Sequence, residues 1–148
     1  MTMQGKNAGN PDGLPSILTR QRPKLTIENR GSDSFCRPKG IGTDIIEIKR
    51  IEKAMAKEGF LEKVFNPEEI EYIKDNPLRC AGLFCAKEAV AKATGLGLSK
   101  TGIKNIHISH TKEGAPTATV DGTEYVFHLS ISHSENYATA TAICLLKD

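Results

Sequence analysis

The sequence has no tryptophan, and aromatic residues make up only 5% of its 148 positions. Composition is otherwise that of a soluble chain long enough for one domain with a real core. The four cysteines (Cys36, Cys80, Cys85 and Cys144) form no CxxC pair and have no Cys/His spacing suited to zinc. Cys80 and Cys85 fall in an apolar helical pattern, where a free cysteine behaves as a small hydrophobe. Twenty lysines and arginines face 18 acidic residues, a formal charge of +2. That excess is too small to argue for nucleic acid, so a basic partner surface would have to come from local clustering. No run approaches the roughly 18–20 apolar residues of a membrane span. Residues 1–20 also lack the continuous apolar stretch of a secretory signal. The expectation is a cytoplasmic protein in a reducing compartment, with neither nucleic acid nor membrane as partner.

Periodicity is missing over residues 1–38, a stretch rich in Gly, Pro, Asn, Ser and Arg. Such a segment buries too little apolar surface to order itself. We expect residues 1–38 to be a disordered extension, a tag or an upstream in-frame start without a catalytic role, and residues 39–148 to form the domain. From Gly40 onward "KGIGTDIIEI" reads as a short strand, followed by a helix over Ile45–Glu58 with Ile48, Ile51 and Met55 at helical spacing. Gly59 ends it. "NPEEIEYIKD" starts a second helix with Asn66 as N-cap, Pro67 at the first position and Glu69 closing a capping box. "NPLRC" repeats the device at Asn76-Pro77 and opens a long helix that Gly95 stops. The last third has strand composition: "IKNIHISHT", "APTATV", "TEYVFHLSIS" and "YATATAICLL", separated by "KEG", "DG" and "HSEN" turns. Asp121-Gly122 is the clearest hairpin signal. Helices followed by antiparallel strands give an α+β fold, with helices packed on an antiparallel sheet.

Four features carry possible chemistry. Asp44 in "GIGTDI" sits among small, turn-permitting residues, where capping the next helix is the alternative role. Glu88 lies in "FCAKEAVAKATGLG"; Ala81, Phe84, Lys92 and Gly95 fall within about forty degrees of it on a helical wheel. Nearly every other side of that helix is apolar, so a carboxylate there must be paired, hydrogen-bonded or bound to a cation. A Glu88–Lys92 pair at i, i+4 is the structural alternative. "GLGLSKTG" can wrap backbone amides around a phosphate, although it follows a helix C-terminus, where the dipole disfavours anions. His133 in "HLSISHS" shares a strand face with Leu129 and Ile131, unless it is only a strand-end surface residue. His107, His110 and His128 read as structural. Two acids with glycine, lysine and histidine nearby suit magnesium and a polyphosphate, because Mg²⁺ takes one or two carboxylates plus phosphate oxygens and water.

On these residues the sequence resembles a known family. "GIGTDIIEIKRI", "FCAKEAVAKATGLG" and "LSISHS" are similar to the three signature blocks of the holo-[acyl-carrier-protein] synthases, the AcpS-type 4'-phosphopantetheinyl transferases, in their order and spacing. The AKEA block with its downstream lysine and glycine is the specific one. The resemblance implies the 4'-phosphopantetheinyl transferase fold and transfer of 4'-phosphopantetheine from coenzyme A to a serine of apo acyl carrier protein. Adenosine 3',5'-bisphosphate would be released, and the reaction would support fatty acid biosynthesis. It implies Asp44 and Glu88 as magnesium ligands. Lys92, the Gly95 region and His133 would be coenzyme A contacts, with Lys87 beside the metal ligand grouped with them. Asp44, Glu88 and Lys92 would carry the catalysis. The base for the serine stays open among Glu88, a metal-bound water and Lys92. Leu83 departs from the pattern, standing where many members carry arginine.

Lys49, Arg50, Lys53 and Lys57 fall within about a hundred degrees of arc on the first helix. They form a solvated face or, as the resemblance implies, the surface that docks the acidic carrier. The resemblance also implies a homotrimer with active sites at subunit boundaries. The final strand has small residues on one face and no internal charge, so it reads as an edge that another surface covers, or else as a central strand of a monomeric sheet. Two other functions share the acid pair: a magnesium-dependent nucleotide phosphohydrolase, and a coenzyme A-binding module without turnover.

Overall fold

The computed structural model describes residues 37–147. The expectation of disorder over residues 1–36 therefore lies outside the described residues. Arg37 and Pro38, grouped with the leader on composition, are the first residues of strand β1 (Arg37–Glu47). This strand runs past its expected end. Ile45–Glu47 extend it instead of beginning a helix, and α1 covers Ile48–Met55. The reason is pairing: Gly40 to Glu47 align without a break against Cys144 to Tyr137, and the β-branched pair Ile45-Ile46 favours the extended chain. Asp44 is thus an interior strand residue, not a helix cap. Helix α1 starts where the Ile48 N–H donates to the Asn136 carbonyl at 2.9 Å.

Gly59 takes φ 75°, a left-handed conformation that breaks the chain before α2 (Phe60–Val64). Helices α3 (Pro67–Ile73) and α4 (Pro77–Ala93) open on the two Asn-Pro pairs as expected. The Asn66 N–H donates to Glu69 Oε2 at 2.8 Å. Asn76 Oδ1 accepts the N–H groups of Leu78 and Arg79 at 2.9 and 3.2 Å. A short α5 (Gly97–Thr101) and a 3₁₀ turn (Ile103–Asn105) lead into β2 (Ile106–His110), β3 (Pro116–Val120), β4 (Val126–His133) and β5 (Tyr137–Leu146). The architecture is α+β, as expected.

Two sheet expectations need correction. β2 and β3 form their own antiparallel pair, while the larger sheet has the order β1-β5-β4. Asp121-Gly122 therefore turns the chain from one sheet to the other and closes no hydrogen-bonded hairpin. β5 is the central strand, paired on both sides. Its small residues are explained by α4, not by an edge: Ala138, Ala140, Ala142 and Cys144 are all essentially buried, and the Cys85 thiol of α4 donates to the Ala138 carbonyl at 3.3 Å. Among the described residues, no helix is long and apolar enough to cross a membrane.

α4 crosses this sheet at close range. A Cβ on Gly40 would run into the Ala93 carbonyl oxygen, and one on Gly42 into that of Ala89. Glycine at both positions is what lets the helix backbone lie on the strand backbone. Helix α4 is buried nearly all round, with the alanines at 81, 86, 89, 91 and 93 inaccessible. We expect Gly42→Ala to cost at least about 2 kcal/mol in urea unfolding, as overpacking against a backbone does. An unchanged midpoint would show that α4 is not held this way.

Candidate active site

Two residues after Gly42, on the same α4-facing side of β1, stands Asp44. α4 answers with Glu88 and, one turn later, Lys92. The Lys92 ammonium lies 3.0 Å from Asp44 Oδ1 and donates to the Thr43 carbonyl at 2.9 Å. Lysine 92 thus bridges to the strand, where a Glu88 partner within the helix was the structural alternative. Asp44 and Glu88 face one cleft of about 400 Å³, with Ile46, Arg50, Phe60 and Phe84 among its walls. Burial raises the proton affinity of Glu88 above the ordinary carboxylate value; the nearby Asp44 charge adds to this, and Lys92 opposes it. Both acids also press on the buried Cys85 thiol, which desolvation first and then Asp44 push up to about 12. It stays a neutral thiol at physiological pH.

Among the described residues, no cluster of three or more His, Cys, Asp or Glu side chains is arranged to hold a metal. The donor set is two carboxylates on opposing elements, open to one cleft. That suits a hard divalent cation that completes its shell with water and phosphate oxygens, and it is poorly suited to an all-protein cage. A cation between the acids would offset both the burial and the like charge that lift Glu88.

The other expected site residues are dispersed. Gly95 follows α4 at φ 79° with open space where a Cβ would sit, so left-handed backbone, not crowding, accounts for the glycine. His133 does face the side of the sheet expected for it, but it lines two other clefts. These reach α4 at Leu78, Gly82 and Leu83, about half a helical turn around from Phe84 and Glu88. One chain does not bring His133 to the acid pair. Leu83, in place of the family arginine, is 2% exposed and belongs to the core. On α1 the side chains of Lys49, Arg50 and Lys53 are exposed, with Lys57 exposed just beyond its end. Of these, Arg50 also lines the acid cleft.

Lys87 needs correction as a coenzyme A contact. Its side chain is fully buried, 2.7 Å from Glu69 Oε2. It donates to the carbonyls of Ile106, Val64 and Ile103 at 2.8, 3.1 and 3.1 Å. No donor remains for a ligand. Burial pulls its pKa down; Glu69 opposes that shift, and Lys104 adds to it. Glu69 is the residue sequence reasoning missed. Its capping role is legible, but nothing in the spacing shows that the same carboxylate reaches α4. The available signal was a lysine on a helix with no polar side to receive it.

Comparison with known proteins agrees with the motifs. A family model described as the 4'-phosphopantetheinyl transferase superfamily matches residues 40–142. A holo-[acyl-carrier-protein] synthase of Fusobacterium nucleatum is 42% identical over 119 residues, covering 72% of this chain and 98% of its own. One from Clostridium kluyveri is 42% identical over 117 residues, 70% of this chain and 87% of its own. Among solved structures, the Helicobacter pylori holo-[acyl-carrier-protein] synthase in complex with coenzyme A superposes with TM-score 0.67 at 35% identity, covering 70% of this chain and 98% of that one. The Bacillus anthracis enzyme, in complex with CoA (3',5'-ADP), gives TM-score 0.67 and 35% identity over 73% and 96%. With its motifs, its fold and these relatives in agreement, the chain belongs to the 4'-phosphopantetheinyl transferase superfamily, as an enzyme of the holo-[acyl-carrier-protein] synthase type.

Proposed function

We propose that this enzyme transfers the 4'-phosphopantetheine group of coenzyme A to a serine of apo acyl carrier protein and releases adenosine 3',5'-bisphosphate. The observation that carries the reading is Asp44 and Glu88 at one cleft whose wall includes Arg50 of the basic helix, with Lys92 paired to Asp44. The residues from Arg37 onward form the transferase domain, acting in the cytoplasm in support of fatty acid synthesis. Asp44 and Glu88 would hold Mg²⁺, which neutralises charge on the pyrophosphate oxygens during transfer. Lys92, already beside Asp44, is within reach of the same phosphates, and the Gly95 turn lies beyond it. Exposed Lys49, Lys53 and Lys57 supply a positive surface for an acidic carrier, and Arg50 continues that charge into the cleft. Holding the carrier's serine in line with the phosphorus would supply much of the remaining acceleration.

The enzyme acts as a homotrimer in this proposal. Ile41 and Ile45 are 69% and 67% exposed on the sheet face that α4 leaves bare, which supports burial against another copy. His133, remote from the acid pair of its own chain, would complete a neighbour's site.

Three outcomes test this reading. With coenzyme A, Mg²⁺ and apo carrier, the carrier's intact mass rises by one phosphopantetheine group; Asp44→Ala and Glu88→Ala each lower that rate below about a tenth of the parent at saturating Mg²⁺. A higher residual rate sinks the ligand assignment. Lys53→Glu with Lys57→Glu raises KM for carrier about tenfold at low salt, less at high salt, and leaves coenzyme A binding unchanged. Loss of coenzyme A binding would move the stripe into the nucleotide site. Glu88→Ala and His133→Ala chains, co-expressed and purified as mixed oligomers, recover part of the activity each lacks alone; no recovery in verified mixed trimers would place both residues in one chain's site.

A further inference from the structure

Lys87 and Glu88 are neighbours in sequence, yet the turn of about 100° per residue sends them to different surroundings. Glu88 faces the cleft with Asp44. Lys87 points to the other side, where its ammonium lies near four oxygens: Glu69 Oε2 and the carbonyls of Ile106, Val64 and Ile103. Three N–H donors meet four acceptors, so the group has one place to be. Glu69 is held as firmly. Its Oε2 also accepts the Asn66 N–H, and its Oε1 accepts the Ile108 N–H at 2.8 Å. Through this pair α4 is tied to the start of α3, the end of α2, the 3₁₀ turn and β2.

A buried ion pair of this kind is seldom better for stability than apolar side chains of equal volume. What it adds here is direction. α4 is apolar on nearly every side, so no polar stripe reinforces the rotational setting that its close approach to Gly40 and Gly42 allows. A setting that kept the alanines packed but swung Glu88 from Asp44 would pull the Lys87 ammonium off its oxygens and leave a buried charge without partners. We infer that Lys87, held by Glu69, is a positioning residue: it fixes the rotation of α4 and thereby aims the Glu88 carboxylate at the site it shares with Asp44. This rests on the proposed role of Asp44 and Glu88 as cation ligands.

Glu69→Gln is the informative substitution, because it keeps the volume and an acceptor for Ile108 and removes the charge that holds Lys87. Glu68→Gln, at an exposed position one residue earlier, removes the same charge without touching the pair. The probe is Mn²⁺, its free ion counted by electron paramagnetic resonance on full-length chain. We expect Glu69→Gln to retain parental circular dichroism, oligomeric size and KM for carrier, and to bind Mn²⁺ about tenfold more weakly, the effect of disturbing groups that orient a metal ligand. Glu68→Gln should bind as the parent does. Parental Mn²⁺ affinity in folded Glu69→Gln, or an equal loss in Glu68→Gln, overturns the inference. Should Glu69→Gln not fold, the pair is replaced by Glu69→Leu with Lys87→Met: weaker Mn²⁺ binding supports the inference, while parental binding, or failure of this variant also to fold, reduces the pair to a purely structural role. If the parent binds no Mn²⁺, or Asp44→Ala binds it as well as the parent does, the ligand reading fails by itself. The positioning claim then stands or falls on whether the ¹³C resonance of the Glu88 carboxyl moves in Glu69→Gln and not in Glu68→Gln.

Discussion

Gly40 and Gly42 allow the backbone of α4 to lie directly on that of β1, with the carbonyls of Ala93 and Ala89 occupying the space that side chains would take. The site follows from that contact. Strand alternation places Asp44 on the same face as Gly42, and the helix repeat places Glu88 and Lys92 one turn apart above it. Had α4 stood further from β1, a lysine could still have spanned the gap, but the two carboxylates would not have shared one small cleft. The glycines therefore shape the site as much as the charged residues do.

Close packing has an electrostatic consequence. The helix carries three charges within six residues, Lys87, Glu88 and Lys92, and each meets a different dielectric. Lys92 is exposed and pairs across to the strand. Lys87 is sealed among carbonyls and Glu69, where its charge is tolerable only because every donor is used. Glu88 lies between these extremes, half-buried and beside a like charge. Of the three it is the one whose ionised form is incompletely compensated by protein groups. A cation between the acids would supply the compensation that protein groups leave incomplete at Glu88, and would share Asp44 with Lys92.

Much of this was legible in the sequence. The Asn-Pro starts of α3 and α4, the glycine stop, and all ten residues of β5 follow from local patterns, because caps and alternation act over a few residues. Where the reading failed, the deciding partner was distant. Ile45–Glu47 look helical beside Ile48 and Ile51, but pairing with β5 keeps them extended. Asp121-Gly122 has hairpin chemistry and the correct flanks, yet nothing local states that the strands on either side join different sheets. The alternating small residues of β5 show one tightly covered face, and only the sheet order reveals that a helix covers it and that the strand is central. The Lys87 assignment failed for a related reason. An all-apolar helix has no wet side, so its sequence cannot say which of two adjacent charges lies in the cleft and which in the core.

The sheet face away from α4 remains. An antiparallel sheet with one wet face normally shows polar residues there, and β4 complies with His128, Ser130 and Ser132, as β5 does with Thr139 and Thr141. β1 does not. Ile41 sits opposite Ile143 in the register, Ile45 lies further along the same face, and all three are exposed. Burying an isoleucine contributes about 1.5–3 kcal/mol. With Ile143 only 38% exposed and the other two about two-thirds exposed, burying what remains of all three would supply about 3–5 kcal/mol per chain. A second copy is a fitting occupant, because Asp44 stands one residue before Ile45 and faces the opposite way. Covering the isoleucines would stiffen the strand that presents the carboxylate and would bring foreign residues near the open edge of the cleft. In the proposed trimer, assembly and catalysis therefore depend on the two faces of one strand.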